Sequence, residues 1–178
     1  MDQPVNYSED SVAIFAAEVS EVSDRPLRDC VGRFVRGFFQ SFDTGSDIKY
    51  FFSPGARLVD GLVAPGEVLA GADKIVGWFK SKRGPGQQTA HNLLLVDRGR
   101  VTCYVTHFWT AGSDADGKPL FRERREVYII DLDEGLRIKR FEKRYHKNDA
   151  ITRYGSSEAM EAAAEEVENN GMKMRERF

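Results

Sequence analysis

At 178 residues, with 41 % hydrophobic and 30 % charged side chains, the chain fits one globular domain with tails and leaves little room for a second. Its 26 basic and 28 acidic residues give a formal charge of −2, which offers no overall positive field to a nucleic acid backbone. Cys30 and Cys103 lie far apart without metal-site spacing, the opening MDQPVNYSEDSVAIF lacks a basic start, and no stretch approaches the ~20 apolar residues of a membrane span. The expectation is a cytoplasmic protein with reduced thiols, no secretion signal and no membrane insertion.

Residues 1–25 read as an extension, polar at first and then weakly apolar at Val12, Phe15, Ala16 and Val19. From Pro26, Leu27, Cys30, Val31, Phe34, Phe38 and Phe42 recur at helical spacing, which predicts an amphipathic helix with an aromatic stripe. Gly45 breaks it, Ser46 or Asp47 caps a short helical segment through Phe52, and Pro54-Gly55 stops that segment. ARLVD (residues 56–60) reads as a short strand and GLVAPGEVLAG as a loop. A further helix over 72–82 turns Ile75, Val76 and Phe79 inward, with Trp78 beside them.

After Gly84-Pro85-Gly86 the period changes from helix to strand, with strands over 88–96, 100–111, 120–132 and 136–146. Asp97-Arg98-Gly99, GSDADGKP and Asp133-Glu134-Gly135 join them as hairpins, which makes a curved antiparallel meander. The fold class is therefore α+β, with the main domain over 26–147. The tail 148–178 opens with a cap at Ser156 or Ser157 and an Ala/Glu-rich run, and two readings stay open: a solvated, frayed helix, or a helix closing over a pocket mouth.

This order, with FVRGFFQSFDTGSDIKYFFSPGARLVDG at the start and GKPLFRERREVYIIDLDEGLRIKRFEKR at the end, resembles the cone-shaped fold of the nuclear transport factor 2-like superfamily and its SnoaL-like members. The resemblance spans residues 27–146 and speaks to fold more than to function. It implies a helix-and-curved-sheet cone around a pocket. It sets Asp60 at the position of the proton-abstracting aspartate of ketosteroid isomerase-like proteins. Likewise it sets His91 at that of the catalytic histidine of scytalone dehydratase-like proteins, with Asp43 as its orienter. The tyrosine those dehydratases carry before the aspartate is here Phe42, so a phenol is missing there, and Tyr50 and Tyr104 are the substitutes considered.

Strand alternation gives an independent view. Val101, Cys103, Val105, His107 and Trp109 share one face, the more aliphatic, which should turn toward the helices; burial there would keep His107 neutral. A pairing sum of about 196 to 198 across the Asp97-Arg98-Gly99 turn would set His91 near Val105 or His107, so that both rings could line one cavity. Asp60 or His91 is then the expected base and His107, Tyr50 or Tyr104 the donor, with Phe38, Phe42 and Trp109 as apolar substrate contacts. The charge runs RERRE and RIKRFEKR read as cross-strand salt links on an exposed face, with Arg124 or Arg140 as the alternative contact to an anionic substrate. His146 reads as solvated. Three histidines without HxH or HxxxH spacing, and the lack of a phosphate loop or GxSxG elbow, predict no metal and no cofactor.

These readings converge on a cofactor-independent lyase or isomerase acting by dehydration, cyclisation or related acid–base chemistry on a hydrophobic, oxygenated polyketide- or terpenoid-like metabolite. The alternatives are a noncatalytic ligand-binding or dimerising module of the same fold and a protein adaptor with a solid core. A homo-oligomer, first a dimer through the outer sheet face, is the expected assembly.

Overall fold

The computed structural model describes residues 25–61, 68–144 and 149–175; the extension up to residue 24 and His146 lie outside them. Helix α1 (Arg25–Thr44) is followed by a single 3-10 turn (Lys49–Phe51), strands β1 (Phe52–Asp60) and β2 (Val68–Ala70), and helix α2 (Ala72–Lys82). Strands β3 (Gln88–Asp97), β4 (Arg100–Ser113), β5 (Pro119–Leu132), β6 (Ile138–Arg144) and β7 (Ile151–Tyr154) come next, and α3 (Ser157–Arg175) ends the described chain.

The sheet order is β2-β1-β6-β5-β4-β3, with β7 added beside β5. Consecutive hairpins make β3 to β6 antiparallel, whereas β1 joins β6 in parallel. Three helices packed on this curved mixed sheet give the α+β architecture expected from the change of hydrophobic period. The aromatic stripe of α1 forms its core. Phe38 is fully buried and meets Phe39, Phe51, Phe52 and Phe79 edge-on and Phe141 at a tilt. Each such ring removes enough apolar surface from water to contribute about 1.5–3 kcal/mol.

Three elements depart from the sequence reading. Strand β1 begins at Phe52 and runs through Pro54-Gly55, because its ladder with β6 slips between Phe52 and Arg57 and so requires no proline N–H there. Part of the presumed loop is strand β2, antiparallel to β1. The polar segment after residue 148 contains β7, which pairs with Leu120–Glu123 in the half of β5 that β6 does not reach.

Helix α3 packs on the opposite face of the sheet from α1. Met160 is buried with Ala90, Phe108 and Phe121, and Ala163, Ala164 and Val167 pack alongside. Farther along, Gly171 lies so close to the edge strand β3 that an added Cβ would stand 2.5 Å from the Asn92 carbonyl oxygen. Glu168 completes the closure: its Oε1 accepts the backbone N–H of His91 at 2.7 Å, and its Oε2 accepts Arg36 Nη1 of α1 at 3.1 Å. An edge N–H that a partner chain could otherwise use is thereby satisfied internally.

Candidate functional site

The pairing of β3 with β4 decides which side chains meet. Observed partners are Thr89 with His107 and His91 with Val105, with a bulge between His91 and Leu93. His91 and His107 therefore share the concave face, and both rings flank Phe39, at 5.5 and 6.1 Å between centroids. On β5 the same face carries Arg124, Glu126 and Tyr128, opposite His107, Val105 and Cys103 respectively. Phe141 and Lys143 of β6 complete it, and Asp60 of β1 pairs with Lys143 in the parallel ladder.

A cavity opens between this face and the helices. It is lined by Phe39 and Phe42 of α1, by Trp78, Phe79 and Lys82 of α2, and by Gln87, His107, Trp109, Arg124, Glu126, Tyr128 and Lys143. About 50 Å³ of it admits the centres of water molecules, room for roughly three or four waters. Gly84 sets one wall, since a Cβ there would stand 2.7 Å from Trp109 Cβ and Cγ.

A hydrogen-bonded chain runs behind the cavity. Thr89 donates its backbone N–H to Asp43 Oδ2 and its hydroxyl to Asp43 Oδ1, each at 2.7 Å. Thr89 Oγ1 lies 2.9 Å from His107 Nδ1, and His107 Nε2 lies 2.8 Å from the Tyr128 hydroxyl. Gln87 Oε1 accepts Gly84 N–H at 3.0 Å, so its amide NH₂ faces the same His107 nitrogen, Nδ1, at 3.2 Å.

Electrostatics reinforce this arrangement. Burial, with the nearby charges of Lys143, His91 and Arg124, lowers the His107 pKa to about 3, so its imidazole is neutral. Burial and the Glu126 carboxylate hold Tyr128 well above its usual value, so it is a phenol and a donor. Burial also raises Asp43 to about 7, against the two Thr89 hydrogen bonds and Arg83, which pull it down. Glu126 is held by Lys143, Nζ to Oε1 at 3.3 Å, with both side chains almost wholly buried.

Other residues singled out in the sequence fall in different places. Phe42 and Trp109 line the cavity, whereas Phe38 lies in the core behind it. Asp60 and His91 are buried beside the cavity without lining it. Tyr50 is 60 % exposed and stacks on Phe51, and Tyr104, of opposite strand parity to His107, points outward. Neither brings a phenol to the cavity; Tyr128 does. RERRE and RIKRFEKR are not merely an exposed charged face, because Arg124 and Glu126 of RERRE reach the cavity wall, and Lys143 of β6 lies opposite Tyr128. Parity counted back from buried Ile130 and Leu132 was the signal available for Tyr128, Glu126 and Arg124. Among the described residues the cavity lining contains no α3 residue, and that helix packs against β3.

Among the described residues no group of three His, Cys, Asp or Glu side chains converges as a metal site would require, and no helix is long and apolar enough to cross a membrane. Cys30 and Cys103 are buried free thiols.

No family model matches the sequence, and no curated protein matches it. Solved structures do. They include the epoxide hydrolase/cyclase-like enzyme SalBIII of pyran-ring formation in salinomycin, at TM-score 0.53 and 14 % identity, covering 67 % of this chain and 93 % of that one. A candidate polyketide cyclase from Xanthomonas campestris pv. campestris gives 0.52 and 14 %, covering 67 % and 92 %. A de novo designed protein with a curved β-sheet gives 0.51 and 16 %, covering 78 % and 94 %. At these identities the likeness concerns architecture, and by that architecture the protein has the nuclear transport factor 2-like fold that its helix and strand order resembles.

Proposed function

We propose that the protein is a cofactor-independent lyase or isomerase, acting by acid–base chemistry on a small hydrophobic, oxygenated metabolite of polyketide or terpenoid type. The observation that carries this reading is the Glu126 carboxylate and the Tyr128 hydroxyl on one cavity wall, with His107 Nε2 2.8 Å from that hydroxyl. In a dehydration, Glu126 removes the proton from the carbon next to a carbonyl, and Tyr128 donates a hydrogen bond to the enolate oxygen. Glu126 then returns that proton to the departing hydroxyl, which leaves as water. Cyclisation needs the same two groups, with an internal hydroxyl as nucleophile. His107 and Asp43 orient and hold the donor, and His91 and Asp60 support the wall from outside the cavity.

Its size bears on the substrate. Space for roughly three or four waters accepts the reacting end of a metabolite, and a larger body requires lining side chains to move aside. The same small volume favours, as the second reading, a module that binds a ligand without turnover. Deuterium uptake decides between the two. In D₂O, aryl and alkyl β-hydroxy ketones should exchange the proton next to the carbonyl faster with protein than in buffer, and Glu126→Gln should lower that rate by about 10²-fold or more. Exchange no faster than in buffer, or unchanged in the Glu126→Gln protein, defeats the enzymatic reading.

A further inference from the structure

Arg124 stands at the cavity wall with its guanidinium carbon 5.7 Å from the centre of the Trp109 ring. Its Nε is buried and has no hydrogen-bond partner, although its side chain as a whole is 40 % exposed. Glu126 Oε1 is 4.0 Å from that nitrogen, beyond hydrogen-bonding reach, and is held instead by Lys143 at 3.3 Å. A buried donor left without an acceptor is costly, and the side chain to which it belongs lines the cavity, whose occupant can supply one.

The charge around the cavity is lopsided. Lys82, Arg124 and Lys143 line it against Glu126 alone, in a chain whose formal net charge is −2. Adding Asp60, the ladder partner of Lys143, still leaves cations in excess. Asp43 lies behind Thr89, is raised toward neutrality, and has Arg83 against its backbone carbonyl. The His107 ring senses the same field, because Lys143 and Arg124 both disfavour its protonation. Six of the lining residues, Phe39, Phe42, Trp78, Phe79, Trp109 and Tyr128, carry benzene or indole rings.

We propose that the cavity takes a carboxylate-bearing ligand, a small aromatic or unsaturated carboxylic acid, with its carboxylate on Arg124 and its apolar body between Phe42, Phe79 and Trp109. A planar guanidinium over an indole ring presents a fork suited to a carboxylate. Arg124, Glu126 and Tyr128 succeed one another at alternate positions of β5, so anion anchor, base and oxygen donor are spaced by about 6.6 Å each along the strand. The inference deepens the acid–base reading of the same cavity but concerns binding alone.

The test uses calorimetric or NMR titration of the whole chain with benzoate and with benzamide, its uncharged counterpart of the same shape, at matched ionic strength. Benzoate should bind at least tenfold more tightly than benzamide, by the ~1.4 kcal/mol or more expected of a charge-assisted contact over a neutral one. Arg124→Gln should abolish that preference while leaving benzamide unchanged. Arg125→Gln makes the same change of net charge at an exposed neighbouring position of opposite parity, and should behave as wild type. Equal binding of benzoate and benzamide, no binding of either, or equal weakening by both substitutions overturns the proposal. None of these readings involves turnover, so failure here and failure of the deuterium-exchange test are separately visible.

Discussion

At the scale of single residues, Asp43 and His107 form an opposed pair on one hydrogen-bonded chain. His107 has a folded pKa near 3 against the ordinary 6.5, so between those values the unfolded chain holds the extra proton and stability declines as pH falls. Asp43 is raised from 3.8 to about 7, so between those values the folded protein holds the extra proton and stability declines as pH rises. In their shared window, about pH 4 to 6.5, the two slopes cancel. Asp43→Asn removes one of them. Urea unfolding at stepped pH should then show the variant losing stability relative to wild type as pH drops from 7 toward 4, by up to about 1.4 kcal/mol per pH unit. Parallel pH profiles for the two proteins would refute the raised Asp43. The sequence made the helix-turn aspartate visible as an orienter but not its route, which passes through Thr89 to His107 and on to Tyr128. A threonine and a tyrosine in strands have ordinary reasons to be there, and only the register brings them into one chain.

At the scale of elements, legibility followed periodicity. Helix α2 and the β3–β4 hairpin could be read because their apolar residues repeat within one segment, and the hairpin turn fixes the pairing. Strand β7 was hidden because all four of its residues are exposed and its partner lies thirty residues away in sequence, so no local alternation announces it. Helix α3 offered a narrow stripe, Met160, Ala163, Ala164 and Val167, that its abundance of glutamate obscured. Its docking can be tested with two glycines. Gly77 of α2 is exposed and has no atom within 4 Å of an added Cβ, so Gly77→Ala should stabilise by up to about 1 kcal/mol through helix propensity alone. Gly171→Ala gains the same propensity but drives its methyl into the Asn92 and His91 carbonyl oxygens, backbone atoms that move only if α3 or β3 moves. Overpacking of this kind costs about 1–3 kcal/mol, so this variant should be less stable than wild type, and the His91 amide should exchange faster as Glu168 is displaced. Stabilisation by both substitutions would mean that α3 does not hold the edge of β3.

At the scale of the whole molecule, the two faces of the sheet are covered unequally. The concave face is filled by α1 and α2, and α3 covers the convex face only around Ala90, Phe108 and Phe121. Toward the β3–β4 turn, Leu93 and Leu95 lie beside Tyr104 and Thr102, which in turn face Val127 and Ile129. All are at least partly accessible, with Leu95 49 % and Tyr104 39 % exposed. A contiguous apolar surface on an already hydrogen-bonded sheet suits its own copy across a twofold axis, because each residue then meets a complementary patch of the same kind. We propose this face, with Tyr104 near its middle, for the dimer that the sequence leads one to expect. Tyr104→Lys sets two like charges against each other across such an axis while its side chain stays clear of the cavity, so the fold and ligand binding should persist. Sedimentation velocity at tens of micromolar should show wild type as a dimer and the variant as a monomer. A monomeric wild type, or a dimer indifferent to the lysine, would remove this face from the assembly and leave the Tyr104 patch without that role.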